Sequence, residues 1–92
     1  ENATEESIQS MAYYHLANVY FVTGELDQAM GSAKKINTIG FQALAKDIIG
    51  DIYLKQGNKE EAKKSYIEGL KFNKGQSDFS KILQNKIDSI GQ

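Results

Sequence analysis

The chain has 92 residues, no Cys, Pro or Trp, and a net charge of −1 from 11 Lys and 12 acidic residues. That describes one small globular domain, near the lower limit at which a single core is self-sufficient. Every cation is Lys, so the bidentate Arg contacts typical of nucleic-acid readers are excluded.

The apolar spacing is helical almost throughout, and the absence of Pro favours uninterrupted helices. Ile8, Met11, Ala12, Leu16, Val19 and Tyr20 fall on one face of a first helix, over about 5–23. Gly24 breaks that pattern. Leu26, Ala29, Met30, Ala33 and Ile36 resume it in a second helix, over about 25–36. "NTIG" is a second break, after which Phe41, Leu44, Ala45, Ile48, Ile49, Ile52 and Tyr53 predict a third helix, over about 41–56. "QGN" reads as a turn, with Gly57 free to take the left-handed conformation and Asn58 placed as N-cap. Glu61 stands at the position that completes a capping box with Asn58, and Glu60 one turn before Lys64 forms an exposed pair. Ala62, Tyr66, Ile67 and Leu70 mark the apolar side of a fourth helix, over about 59–72. "NKGQSD" closes it, with Ser77 as N-cap of a fifth helix over about 78–90. That last helix keeps one stripe of Phe79, Ile82, Leu83, Lys86, Ile87 and Ile90. The expectation is an all-α fold of antiparallel helices, since no segment shows a period of two.

"LANVYFVTGELDQA" and "IGDIYLKQGNKEEA" repeat the same residue types at a distance of 33 residues. Leu16, Ala17, Tyr20, Gly24 and Ala29 return as Ile49, Gly50, Tyr53, Gly57 and Ala62. A repeat of this length split into two helices is that of helical arrays, whose pairs cannot bury their apolar sides alone. The pattern resembles a pair of tetratricopeptide repeats, at about 10–37 and 41–73, with the helix at 78–90 as a cap. The small residues Ala17 and Gly50 are expected to let helix backbones approach Ala29 and Ala62, with Tyr20 and Tyr53 filling the seams. Three departures stand out: Lys46 replaces the aromatic found at Tyr13, the Pro that often ends each repeat is absent, and Ala33 is smaller than the family's usual residue.

A closer resemblance covers about two-thirds of the chain. Gly50-Asp51, Leu54, Gly57, Ala62, Glu68-Gly69 and Lys86-Ile87-Asp88, with "INTIGF" ahead of the third helix, are similar to the bacterial family of ancillary SecYEG translocon subunits. The resemblance implies a non-enzymatic protein on the periplasmic face of the inner membrane, tethered by an N-terminal transmembrane helix. It also implies contact with the translocon and with a membrane-anchored prolyl-isomerase-like chaperone. No signal peptide and no apolar run of about 20 residues occurs within the sequence. The chain begins with Glu1 rather than Met and is read as part of a longer polypeptide. Without an envelope address, the alternative is a scaffold in another envelope or cytoplasmic complex.

Nothing in the sequence forms a catalytic constellation. His15 is the only His, with no Cys to pair with it, and no nucleophile elbow or phosphate-cradling loop occurs. No cofactor or metal is expected. Asp47 and Asp51, one turn apart, could share a hard cation, but two carboxylates make a weak site and a solvated acidic face is the simpler reading. The better candidate is a concave groove lined by the first helix of each pair: Tyr14, Asn18 and Phe21 from one, Asp47, Asp51 and Lys55 from the other. Asn18 can hydrogen-bond an extended peptide, and Tyr14 and Phe21 offer stacking. The alternative for these two aromatics is packing against a neighbouring helix. The last helix either caps the second repeat or docks a partner, and Lys63, Lys64 and Lys71 form either a solvated face or a contact for anionic lipid. With no helix pair ahead of it, the first helix is expected to expose Tyr13 and Tyr20 in part. That side would then be covered by upstream repeats or by self-association.

Overall fold

Each helix pair turns at a glycine that adopts the left-handed conformation, and this organises the architecture. A computed structural model describes residues 2–73 and 77–91. Its elements are α1 (Asn2–Thr23), α2 (Leu26–Lys34), a short 3-10 turn (Ile39–Phe41), α3 (Gln42–Lys55), α4 (Lys59–Phe72) and α5 (Asp78–Ile90). No strand occurs among the described residues. The fold is all-α: two tetratricopeptide-like helix pairs, α1–α2 and α3–α4, with α5 packed against α4.

The two turns are copies of one another. Gly24 has φ +86° and Gly57 has φ +84°. Glu25 N–H donates to Tyr20 O at 2.8 Å, and Asn58 N–H donates to Tyr53 O at 2.8 Å. Gly24 N–H bonds Phe21 O at 3.2 Å, and Gly57 N–H bonds Leu54 O at 2.9 Å. This is the Schellman termination, in which a left-handed residue lets two orphan carbonyls be satisfied. The capping box at the start of α4 is only half made. Asn58 Oδ1 accepts from Glu61 N–H at 3.4 Å, but the backbone N–H of Asn58 is already committed to Tyr53. Glu61 instead pairs with Lys64 at 3.5 Å, in place of the expected Glu60–Lys64 contact. Ser77 caps α5, accepting from Ser80 N–H at 3.1 Å.

The link from α2 to α3 is tied down by side chains. Ser10 and Thr38 share a hydroxyl bond of 2.8 Å, Thr38 also donates to Glu6 O at 3.2 Å, and Gln42 donates to Ile36 O at 3.0 Å.

Two apolar clusters form the core. The first joins Ala17, Ala29, Ala33, Ile48, Ile49 and Ile52, with Tyr14, Tyr20, Phe21, Leu26 and Met30 packed around it. The second joins Ala62, Tyr66, Leu83 and Ile87, with Leu70, Phe79 and Ile90 at its edge. Tyr53 packs against both.

Two expectations are corrected here. The buried face of α1 is not the Ile8, Met11, Ala12, Leu16, Val19 side, all of which is exposed. It is the opposite face, where Ser10 and Ala17 are buried and Tyr13, Tyr14, Tyr20 and Phe21 are half-buried. A helix with apolar residues on two sides gives no periodic signal of which side has the neighbour. Leu16 accordingly packs no repeat seam. The second correction concerns Gly50, which makes room for a ring rather than for the backbone at Ala62. A Cβ placed on it would lie 2.7 Å from Cδ1 and 2.8 Å from Cζ of Tyr66.

Candidate functional site

The first helices of the two pairs, α1 and α3, carry all six residues expected to line a groove, and their side chains divide into two groups. On α1, Tyr14 and Phe21 are half-buried and lean on the first core cluster. Asn18 lies between them and donates from Nδ2 to Tyr14 O at 2.9 Å. At the end of α3, exposed Lys55 holds its Nζ 6.0 Å from the centre of the Phe21 ring. That contact crosses from one helix pair to the other and joins these residues into one patch.

Asp47 and Asp51 face a different neighbour. Lys86 of α5 reaches between them, with Nζ 2.7 Å from Asp47 Oδ1 and 3.1 Å from Asp51 Oδ1. The hydroxyl of Tyr66 donates to Asp51 Oδ1, and the Lys86 ammonium lies 5.5 Å from the centre of the Tyr66 ring. The two carboxylates do share a cation, but it is the ammonium of α5. Among the described residues no group of three His, Cys, Asp or Glu is arranged to hold a metal.

Burial sets the electrostatics of this network. It pushes the Asp47 carboxyl up, against the pull of the Lys86 hydrogen bond, and repulsion from Asp51 adds to the rise. Burial also works against the Lys86 charge, but the hydrogen bond and attraction of Asp47, reinforced by Asp51, raise the ammonium above its ordinary value. Burial, then the hydrogen bond to Asp51, push the Tyr66 hydroxyl up. The Asp47 and Lys86 shifts pull in opposite senses on the ion pair. With two carboxylates on one ammonium at these distances, Lys86 keeps its charge at neutral pH.

Asp51, Leu54, Tyr66, Lys86 and Ile90 line a cleft of about 280 Å³ where α5 crosses α3 and α4. A larger groove of about 420 Å³ lies on the side of α2 and α4. Its floor includes Ala33, Ile36, Ala45, Ile49 and Tyr53. Its charged walls are satisfied in part by Lys46–Glu68 at 3.1 Å and Lys64–Glu61 at 3.5 Å.

Tyr66 and Lys86 were not anticipated as site residues, although both left a trace. Lys86 interrupts an otherwise apolar stripe. Gly50 and Tyr66 stand where the first pair has Ala17 and Ala33, so a smaller residue on one helix accompanies a larger one on its partner.

Comparison with known proteins follows the same lines. The family described as "Tetratricopeptide repeat-like domain" matches residues 1–92. The chain is 36% identical over 64 residues to a protein of Aggregatibacter actinomycetemcomitans named "Ancillary SecYEG translocon subunit". The match takes in 70% of this chain and 31% of that relative, so the chain spans about a third of the relative's length. No solved structure matches the chain.

Proposed function

The chain belongs to the tetratricopeptide repeat-like domain family, and on that footing we propose that it is a non-catalytic protein-binding module. Its two repeats, at about 10–37 and 41–73, and the closing helix at 78–90 act as one interaction unit. The likeness to an ancillary SecYEG translocon subunit directs the proposal further. The module is part of a translocon-associated assembly factor on the periplasmic face of a bacterial inner membrane. Its partners there are the translocon and a membrane-anchored prolyl-isomerase-like chaperone. No helix among the described residues is long and apolar enough to cross a membrane, so any tether lies outside them.

The observation that carries the binding reading is the patch of Tyr14, Asn18, Phe21 and Lys55. Aromatic faces, a backbone-like amide and a cation at one place suit an extended peptide segment, by stacking, hydrogen bonding and cation–π contact. Asp47 and Asp51 are held by Lys86 and face α5 rather than this patch. Two repeats offer a small contact area, so each single contact is weak and gains from tethering near its partner.

Site-specific photo-crosslinking of the full-length protein in its native cell tests this. Probes at Asn18 and Lys55 are expected to give discrete adducts with translocon or chaperone subunits, with a weaker yield from Asp51. No adducts, or adducts only between copies of the protein, would overturn the reading.

A further inference from the structure

Helices α2 and α4 both pack on α3 and leave a trough of about 420 Å³ between them. Its lining includes none of the six residues first expected to form a groove. The floor runs along α3 from Lys46 to Tyr53, two helical turns or about 10 Å. Helix α2 contributes only its C-terminal end, Ala33 and Lys34, while α4 supplies a wall from Glu61 to Glu68. Two of the lining positions carry a tyrosine in the other repeat, since Ala33 has Tyr66 as its counterpart and Lys46 has Tyr13. Neither position sends a ring into this space.

The chemistry of the lining selects a ligand. The polar side chains at its base are engaged inside the protein, Gln42 donating to Ile36 O at 3.0 Å and Ser65 to Lys46 O at 2.7 Å. What remains on the walls is charge, three ammonium groups against two carboxylates. The carboxylates are paired, Glu68 with Lys46 at 3.1 Å and Glu61 with Lys64 at 3.5 Å, and water reaches both pairs, so they hold weakly. Lys34 is exposed in the last turn of α2 and has no hydrogen-bond or ion-pair partner among the described residues. The trough therefore sets an apolar floor of Ile49 and Tyr53 beneath a surplus of one cation. A carboxylate beside an aliphatic or aromatic side chain is the complement of that arrangement.

We infer that this trough docks a short extended segment of a partner protein in which an apolar residue is flanked by Asp or Glu. The dimensions fit, because an extended chain rises about 3.3 Å per residue and three residues span the floor. Alternate side chains point to opposite sides. The central apolar one then faces the floor, and its acidic neighbours turn to the rims where Lys34 and Lys64 stand. Charge at such a rim selects an acidic over a basic segment more than it adds affinity. An anionic bilayer supplies the charge but not the shape, since a flat headgroup surface does not reach a floor where Ile49 is 8% exposed. The inference rests on the trough alone and shares no residue with the patch of Tyr14, Asn18, Phe21 and Lys55.

The test adds a pool of capped pentapeptides, Gly-Glu-Xaa-Glu-Gly with Xaa as Val, Leu, Ile or Phe, to the isotopically labelled protein at ~2 mM. Backbone amide shifts are expected at Lys34, Gln42, Lys46 and Ser65, and not at Asn18 or Lys55. Lys34→Glu should weaken the response about tenfold and create a response to a matching pool with Lys in place of Glu, with the melting temperature showing the packing intact. No shift at the trough amides, or equal responses to the acidic and basic pools, would overturn the proposal. So would a Lys34→Glu variant that binds as the unaltered chain does. Shifts confined to Asn18 and Lys55 would overturn it while supporting the other patch. Shifts at Lys34 and Lys64 with phosphatidylglycerol vesicles, and none with the peptides, would overturn it in favour of a membrane contact.

Discussion

Lys86 holds a position in α5 that helical spacing assigns to the apolar stripe, between Leu83 and Ile87. Its ammonium lies 5.5 Å from the centre of the Tyr66 ring and spans Asp47 and Asp51. Removing it leaves two part-buried carboxylates without their cation. Lys86→Met is therefore expected to cost about 2 kcal/mol at neutral pH, less than for a wholly buried pair because water reaches the site. The sign of the pH dependence follows from the shifts. Lys86 and Tyr66 hold their protons more tightly when folded, so their contribution is complete below the unfolded values of 10.5 and 10.0 and is lost as pH rises through the folded ones. Asp47 is raised as well, so its contribution is greatest below 3.8 and is lost as pH climbs through its folded value. None of the three groups drives acid unfolding. Melting temperature measured from neutral pH into the alkaline range should fall beyond pH 10.0, and less steeply for Lys86→Met than for the unaltered chain. Equal slopes would remove Lys86 from the account. That Asp47 and Asp51 lie together on one helix face was legible from their one-turn spacing, but the simpler reading of that face was a solvated one. Their ion pair was not legible, because Lys86 lies 35 residues beyond Asp51 and only the packing of α5 brings it there.

At the scale of elements, helix ends were more legible than helix faces. Gly24 and Gly57 terminate their helices by a local rule that needs no partner, and both take the positive φ the turn requires. The seating of one helix on another depends on size, and it differs between the two pairs. The first uses Ala17 and Ala33, while the second uses Gly50 and the fully buried Tyr66. Adding a methyl group to Gly50 drives it into the Tyr66 ring, so Gly50→Ala is expected to cost about 2 kcal/mol through overpacking. A Cβ on Gly24 or Gly57 meets nothing within 4 Å. Alanine there should cost about 1 kcal/mol, from backbone strain alone and equally at both turns. Urea titrations of the three variants check the order, and a Gly50→Ala variant no weaker than Gly24→Ala would mean that the Tyr66 ring moves aside. The α1 face was misread for a related reason. Ile8, Met11, Leu16 and Val19 have flawless helical spacing, but spacing reports amphipathicity and not the identity of the neighbour.

Across the whole molecule, the two core clusters meet at one side chain. Tyr53 packs against both, whereas its repeat counterpart Tyr20 touches only the first. In an array whose units contact only their neighbours, cooperativity passes through such seams. Tyr53→Ala is expected to cost about 3 kcal/mol and to lower the denaturant m-value, because the pairs begin to unfold separately. Tyr20→Ala should lower the midpoint and leave the m-value unchanged. A sharp, single transition for Tyr53→Ala would show that the pairs are coupled elsewhere. The sequence by itself determined the helices, their Gly turns, the 33-residue repeat and through these the family, because each depends on interactions within a few residues or on comparison of the chain with itself. Only the tertiary structure decided that the acidic pair of α3 is closed by α5, that Gly50 serves Tyr66, and that α1 turns its longer apolar face outward. Each of these depends on which surface meets which, and complementarity between distant residues has no period to read.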